Sequence, residues 1–210
     1  MAIKKGDFIE IDYTGKVKDG EIFDTTEEKV AKDHHLHHEH MKYGPVIVVI
    51  GENHLIPGLD DELEGKELGK YHFELPSEKA FGKKSADLLK LIPARAFAKQ
   101  EIKPFVGLEV NMDGLRGTVR NVAGGRIIVD FNHPLASRDV VYDITVKKIV
   151  TDNKERIQGL ADLMRIKVKD IHLDEKTFHV HYDGEHPKEM LQKFEQDIER
   201  LIGLKQGHHS

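Results

Sequence analysis

The chain has no cysteine, which removes disulfides, thiolate metal sites and cysteine nucleophiles together. It has no surplus of positive charge. Lys and Arg number 32 against 37 Asp and Glu, a formal net charge of −5. A nucleic-acid partner needs a basic face to meet phosphate, so none is expected. No apolar run approaches the roughly 20 residues that span a bilayer, so no membrane partner is expected either. No apolar stretch follows Met1–Asp7, so no signal peptide is expected and the location expected is cytoplasmic. What is present is 210 residues, 39% apolar and 33% charged, the composition of a soluble globular chain with core for one or two domains. No internal repeat is visible.

Ile9, Ile11 and Tyr13 alternate with Glu10 and Asp12, the pattern of a half-buried strand. Asp19-Gly20 follows as a hairpin signal, because both residues tolerate positive φ. Val46 to Ile50 is a short all-apolar run, expected to be a buried strand. Pro57 suits the first position of a helix, Leu59 and Leu63 share a face one turn apart, and Gly65 ends it. Tyr71, Phe73 and Leu75 alternate again, as do Val140, Tyr142, Ile144 and Val146. These elements predict an antiparallel α+β module, strands wrapped around one short helix.

From 84 to 131 the texture changes. Pro93, Pro104 and several glycines punctuate short apolar segments: Leu88–Ile92, Leu108–Val110, Thr118–Val122 and Arg126–Asp130. The last two predict a hairpin joined through Ala123-Gly124-Gly125, and Ala94–Ala98 predicts one helical turn. This is a small β-rich domain. Past Val150, Asp152 and Glu155 resemble a capping box opening a helix with Ile157, Leu160, Ala161 and Met164. Ile171–Leu173 and Phe178–Tyr182 predict a hairpin. A long helix follows from Pro187, with Met190, Leu191, Phe194, Ile198, Leu201 and Ile202 on one face, ending at Gly203. A segment of about sixty residues is marginal alone, so it is expected to dock on another domain or, as a homodimer, on a second chain through residues 151–210.

One ordered set carries more than periodicity. Tyr13-Thr14-Gly15, Asp19-Gly20 and Phe23-Asp24 precede Val49-Ile50-Gly51 and Leu55-Ile56-Pro57-Gly58-Leu59. Asn132-His133-Pro134-Leu135-Ala136 and Val141-Tyr142-Asp143 complete it, about fifty residues late. In this order the residues resemble FKBP-type peptidyl-prolyl cis-trans isomerases, interrupted in the flap as in the SlyD-like branch. With the helix-hairpin-helix tail, the chain is similar to the long-form FKBPs of archaea. The resemblance implies an FKBP-like domain in 1–83 and 132–150, an insert-in-flap chaperone domain in 84–131, and a C-terminal α-β-β-α domain in 151–210.

The implied reaction needs no cofactor. Turning a prolyl bond costs lost amide resonance, roughly 18–20 kcal/mol. A site lowers that barrier by binding the twisted, less polar amide better than either planar form. Apolar walls with sparse, oriented hydrogen bonds suit that task. The resemblance makes Tyr13 and Phe23 aromatic walls and Asp24 the single acid near the substrate carbonyl. Val46 and Val48 form another wall, and Leu55 and Ile56 pair with an extended substrate. Leu59 is the floor, where minimal members carry tryptophan, absent here. Phe81 stands where tyrosine is common, Leu135 and Ala136 form the flap return, and Tyr142 is the closing-strand aromatic. The implied substrates are unfolded or partly folded proline-containing polypeptides. In the insert, Leu88, Leu91, Ile92, Phe97, Ile102, Phe105 and Val106 are candidate client contacts, with the small domain's own core as the competing role for each.

His34, His35, His37, His38 and His40 lie within seven positions. Neutral imidazoles ligate Ni, Zn and Cu(II), so this loop is a candidate metal site. The plainer reading is a solvated loop. SlyD-like proteins often carry such histidines in a C-terminal tail, but here only His208-His209 stand there. Two other functions fit the same residues: a peptide-binding module without catalysis, and a metal-handling protein built on the histidine loop.

Overall fold

The alternation at Ile9, Ile11 and Tyr13 forms β1 (Phe8–Val17), which pairs antiparallel along its length with β9 (Val140–Ile149). The structure, a computed structural model, describes residues 1–207; His208-His209 lie outside the described residues. β4 (Gly69–Leu75) lies on the far side of β9. The other edge of β1 is shared: β2 (Ile22–Thr25) takes its second half and β3 (Val46–Val49) its first, giving a five-stranded antiparallel sheet. A short helix, α1 (Glu28–Asp33), follows β2. A second, α2 (Pro57–Leu63), carries Pro57 in its first turn and buries Leu59 and Leu63.

The β1–β2 hairpin forms, but not by the geometry expected. Neither Asp19 nor Gly20 takes positive φ. Val17 and Ile22 are separated by residues 18–21, and this longer loop closes by a turn in which Gly20 N–H donates to Val17 O at 3.0 Å. A two-residue loop would need the mirror-image turn; this one does not.

Residues 1–75 and 140–210 make one compact unit, and residues 76–139 a second. The C-terminal elements belong to the first. They are α4 (Asn153–Leu163), β10 (Val168–Leu173), β11 (Thr177–Tyr182), α5 (Lys188–Ile202) and the short β12 (Lys205–Gln206), which pairs parallel to β11. Asp152 Oδ1 caps α4 by accepting from Glu155 N–H at 2.9 Å. The reciprocal half of the capping box is not made, because Glu155 Oε2 accepts from Lys148 Nζ at 2.8 Å instead. Gly203, left-handed at φ 82°, stops α5. Ile157, Leu160, Phe178, Phe194 and Ile198 share one core with Phe8, Val49 and Val150. Residues 151–207 therefore pack into the sheet's own core.

The second unit holds a four-stranded sheet in the order β5 (Leu89–Pro93), β8 (Arg126–Asp130), β7 (Leu115–Ala123), β6 (Glu109–Met112). Gly124 and Gly125, both at positive φ, close β7 onto β8 in the two-residue turn that demands such residues. The one-turn helix α3 (Ala94–Ala98) places Phe97 over Val119, Ile127 and Val129.

The unit extends beyond 84–131 because the two chain crossings are joined to each other. Asn132 Oδ1 accepts from Ser85 N–H at 2.7 Å, and its Nδ2 donates to Ser85 O at 3.1 Å. Ser77 N–H donates to Asp139 Oδ1 at 2.9 Å. Asp130 is buried and accepts from both Asn132 nitrogens, with Lys84 and Arg120 beside it. Burial pushes its carboxyl up, but the Asn132 bonds and both cations outweigh this and hold it below the usual range.

Candidate active site

Three strands of the first unit bring four of the expected residues together. β1 supplies Tyr13, β2 supplies Phe23 and Asp24, and β9 supplies Tyr142. Cross-strand register decides this, since Gly15 pairs with Tyr142 on one side and with Asp24 on the other. Tyr13 lies one side-chain step along the same face. The Tyr13 and Tyr142 ring centres are 6.0 Å apart, and those of Phe23 and Tyr142 are 5.8 Å apart, edge to face. Tyr13 Oη donates to Asp24 Oδ2 at 2.8 Å. The site is an aromatic cluster holding one carboxylate by one hydroxyl.

Electrostatics keep both phenols neutral. Burial, and next the Asp24 charge and hydrogen bond, push the Tyr13 hydroxyl far above its ordinary value. Burial and the Asp24 charge raise that of Tyr142 in the same direction. Neither tyrosine is a base at neutral pH; each is a donor or an apolar wall.

The polar frame behind β2 is dense. Tyr13 N–H donates to Thr26 Oγ1 at 3.0 Å, and Thr26 Oγ1 donates to Asp12 Oδ1 at 3.0 Å. Thr14 and Thr25 hydroxyls meet at 2.8 Å. These bonds fix the position of Phe23-Asp24 against Tyr13. The Thr25-Thr26 pair following Phe23-Asp24 is the sequence signal for this frame, and the motif reading passes over it. That reading includes Gly15 in its motif but gives it no role. A Cβ there would stand 2.8 Å from Tyr142 Cε1 and 3.0 Å from Phe23 Cζ, so the absence of a side chain is what seats both rings.

The remaining first-unit residues lie on β3 and the segment after it. Val48 is buried and Val46 half-buried, alternating with Ile47 and Val49. Leu55 and Ile56 are half-buried immediately before α2, and Leu59 is fully buried within it. The connection from β3 to α2 is anchored by His54 and by Glu52. His54 Nδ1 accepts from Val49 N–H at 3.1 Å. Asp60 is buried on α2 with its Oδ1 lacking a hydrogen-bond partner among the described residues, and burial pushes its carboxyl up. Glu52 receives both guanidinium nitrogens of Arg200 at 2.7 Å each. Arg200 lies on α5, so no local reading of the sequence reveals that clamp.

In the second unit, Phe81 stacks on His133 with centres 4.7 Å apart and planes 3° from parallel. His133 Nδ1 accepts from Leu135 N–H at 3.1 Å, Leu135 is half-buried and Ala136 buried. Of the candidate client contacts, Phe97 is 1% exposed and is the small sheet's own core, and Ile92 packs against it. Phe97 is not a surface contact, because α3 folds back over the β7–β8 face, and Ile92 on β5 is half-buried. Leu91, Phe105 and Val106 stay exposed at 56%, 60% and 64%, and Leu88 and Ile102 are exposed to a lesser degree. Leu89, Leu115 and Val122, which the sequence pattern does not single out, join them.

The histidine loop is not gathered. His34 caps the end of α1, His35 has φ 59°, and His37 stacks on Tyr43 at 5.3 Å. Among the described residues no group of three or more His, Asp or Glu is placed to hold a metal ion. No described helix is long and apolar enough to cross a membrane.

Comparison with known proteins bears on this geometry. Residues 1–103 match the family model for FKBP-type peptidyl-prolyl cis-trans isomerase, and residues 90–135 match that for "FKBP26, IF domain". The short-type peptidyl-prolyl cis-trans isomerase of Methanocaldococcus jannaschii is 31% identical over 148 residues, covering 70% of this chain and 94% of that protein. The FKBP-type 16 kDa peptidyl-prolyl cis-trans isomerase of Escherichia coli is 38% identical over 111 residues, covering 50% and 74%. The FKBP-type isomerase SlyD of Vibrio cholerae is 28% identical over 166 residues, covering 75% and 73%.

Proposed function

The chain belongs to the FKBP-type peptidyl-prolyl cis-trans isomerase family, on its SlyD-like branch, and from that premise we propose how its own residues divide the work. Its substrates are proline-containing polypeptides. The observation that carries the site assignment is the Tyr13–Phe23–Tyr142 cluster with Asp24 tied to Tyr13 Oη. A prolyl ring against these aromatics and Leu59 leaves its amide in a poorly polar setting. Twisting removes charge from the carbonyl, and such a setting favours the twisted form over the planar ones. Leu55 and Ile56 offer backbone groups to an extended chain, while the clamped connection before them limits its motion. No step transfers a proton. Asp24, held by Tyr13, acts as a fixed charge and hydrogen-bond acceptor beside the reacting bond.

A proline-containing tetrapeptide assay tests this. Asp24→Ala and Tyr142→Ala lower kcat/KM while circular dichroism stays native. Full activity in both sinks the assignment, and retained peptide affinity without turnover favours a binding module. For Phe81, Leu135 and Ala136 the role rests on resemblance alone, and Phe81→Ala in the same assay tests it.

The exposed apolar side chains of the second unit support client capture. Leu89, Leu91, Phe105, Val106, Leu115 and Val122 leave more apolar surface in water than folding of that unit requires. Captured chains would reach the isomerase at raised effective concentration. Phe105→Ser with Val106→Ser should slow refolding catalysis on an unfolded protein and leave tetrapeptide turnover unchanged; equal effects on both refute capture.

Isomerisation itself needs no cofactor. The His34–His40 loop is a candidate ligand set for Ni, Zn or Cu(II), with the loop wrapping around the ion it binds. Calorimetry with those five histidines replaced tests it. A cytoplasmic setting, checked by fractionation, completes this reading. A homodimer through residues 151–210 would draw on partly buried side chains such as Met190, Leu191 and Leu201, since none of the large exposed hydrophobics lies in residues 151–207; sedimentation velocity decides it.

A further inference from the structure

The second unit carries a charge opposite in sign to that of the whole chain. Residues 76–139 hold 11 Lys and Arg against 7 Asp and Glu, a surplus of 4 positive charges in a chain of net −5. Three of those acids are already bonded. Glu78 meets Lys83 Nζ at 2.7 Å, Asp139 accepts from Ser77 N–H, and Asp130 is buried between its partners. Among the described residues, the ion pairs of this unit use only Lys83, Lys84 and Arg120 of its cations. The rest of its positive charge faces water.

One face of the sheet joins this charge to apolar surface. Val119, Ile127 and Val129 point into the core with Phe97. The register sets Leu89 opposite Asp130 and Leu91 opposite Ile128, so these four stand on the other face. Leu89 and Leu91 are 48% and 56% exposed. Asp130 Oδ1 is occupied by the backbone N–H and Nδ2 of Asn132, at 2.9 and 2.8 Å. Its Oδ2 faces two cations, Lys84 Nζ at 3.5 Å and Arg120 Nε at 3.4 Å. Both distances are long for charge-assisted bonds, which run about 2.7–2.9 Å. Arg120 commits only Nε to its hydrogen bond, so its two Nη atoms stay available. Both cationic side chains are about half exposed. Two cations on one carboxylate leave one positive charge uncompensated beside two exposed leucines. Of the other acids nearby, Asp87 lies two residues before Leu89. Glu109 stands beyond Thr118 in the row of Asp130, two strands away. That is roughly 9–10 Å, about one screening length at 0.1 M salt.

We propose that this face selects, among unfolded clients, segments in which Asp or Glu stands beside large apolar residues. The client's apolar side chains cover Leu89 and Leu91, and its carboxylate bridges Lys84 and Arg120. The selection rests on client capture by the second unit and narrows it to one class of segment. A guanidinium with both Nη atoms open matches the two oxygens of a carboxylate. Nucleic-acid phosphate would suit the same cations, but its bases would then lie on leucines, where single strands need aromatic faces to stack on.

The test is fluorescence anisotropy of the full chain with short, labelled, unstructured peptides that contain no proline. Three peptides share their apolar residues and differ only in carrying Glu, Gln or Lys beside them. The Glu peptide should bind about threefold to tenfold tighter than the Gln peptide at low salt, and the Lys peptide most weakly. High salt should narrow the difference. Asp130→Asn removes the competing carboxylate yet keeps an oxygen for Asn132, so it should tighten the Glu peptide further. Lys84→Gln and Arg120→Gln combined with Asp130→Asn leave no buried charge unpaired. That triple variant should lose the preference for Glu while binding the Gln peptide as before, with native circular dichroism. If it fails to fold, the gain in Asp130→Asn alone decides. Equal binding of the Glu and Gln peptides by the parent chain overturns the selection and leaves capture standing. So does a preference for Glu that survives the triple substitution, or no gain in Asp130→Asn. If none of the three peptides binds, capture itself fails and the selection falls with it. A single-stranded RNA of matching length that displaces the Glu peptide would assign these cations to phosphate and overturn the proposal.

Discussion

Gly15→Ala is the sharpest probe of the aromatic site, because it adds one methyl group directly beneath two rings. Gly15 is not at positive φ, so alanine suits its backbone and the effect isolates packing. The new Cβ would stand 2.8 Å from Tyr142 Cε1 and 3.0 Å from Phe23 Cζ. Comfortable carbon contacts lie near 3.5–4.0 Å, so the rings must move by roughly 0.5–1 Å. Overpacking of this kind costs about 1–3 kcal/mol. At about 2–4 °C per kcal/mol for a chain of this size, Tm should fall by roughly 2–12 °C. Catalysis should suffer more, because misplacing a reacting group's surroundings by ~1 Å can cost on the order of a hundredfold. The assay is tetrapeptide isomerisation at a temperature where both proteins are folded, with kcat/KM expected to drop by about 10- to 100-fold. Tyr142→Phe should not relieve the variant, since the nearest contact is a ring carbon and not the hydroxyl. Gly20→Ala, at the exposed hairpin tip against Val17, is the control and should be silent in activity. Wild-type turnover with unchanged Tm in Gly15→Ala would show that the rings do not rest on Gly15.

Other expectations follow from the same geometry. Arg200→Ala should raise KM about threefold to fivefold with kcat little changed, in keeping with less than ~1 kcal/mol for a half-exposed ion pair; Arg200→Lys should recover only part, lacking the fork that meets both Glu52 oxygens. Equal kinetics in all three proteins would remove the C-terminal helix from the site. Burial lowers the His54 pKa from 6.5, so the folded state resists its protonation. This contribution to stability is whole above pH 6.5 and is lost as pH falls from there through the folded value; denaturant melts at stepped pH should show the loss, and His54→Gln should flatten it. Gly159→Ala sets two effects against each other: helix propensity favours alanine by ~1 kcal/mol, but its Cβ would meet Ile47 Cβ at 2.7 Å. That atom adjoins the backbone and cannot swing away, so packing should win and Tm should fall, with Ile47→Ala removing only the second contact, Cγ2 at 2.7 Å, and so restoring a small part of it.

Patterns that repeat within one element are legible in the residues alone. The spacing of Met190, Leu191, Phe194 and Ile198 announces α5, and Gly124-Gly125 announces the β7–β8 turn. Features resting on two distant segments are not. Phe97, between two alanines, and Phe105, between Pro104 and Val106, carry no local mark of which is buried. Only the fold of α3 over β7 and β8 buries the first and leaves the second exposed. α1 buries only Ala31 and has no side-chain cap, so neither periodicity nor capping marks it. β12 is two residues long and too short to show a period. The aromatic site is legible through its family pattern, yet Gly15's role beneath two rings depends on the register of β1 on β9.

The C-terminal segment bears on catalysis through β3. Val49 lies in the core formed by α4, α5 and the β10–β11 hairpin, and Ile47 packs on that core. By strand alternation Val46 and Val48 point the other way. One strand thus serves two layers, and the layer behind it comes from residues 151–207. Gly159 lets α4 approach Ile47 closely, and Arg200 holds Glu52 just beyond the strand's end. The size argument for a homodimer loses force here, because the shared core supplies within one chain the burial that some sixty residues lack alone. Cutting the chain after Val150 would uncover Phe8, Val49 and Val150, each buried to within about 1%. At ~1.5–3 kcal/mol per large apolar side chain the loss is roughly 5–9 kcal/mol, comparable with the whole ~5–15 kcal/mol that keeps a protein folded. Such a truncation should lose the isomerase fold along with activity. A truncated chain that melts cooperatively near the parent Tm and turns over tetrapeptide normally would mean that the C-terminal layer is an accessory and not a wall of the core.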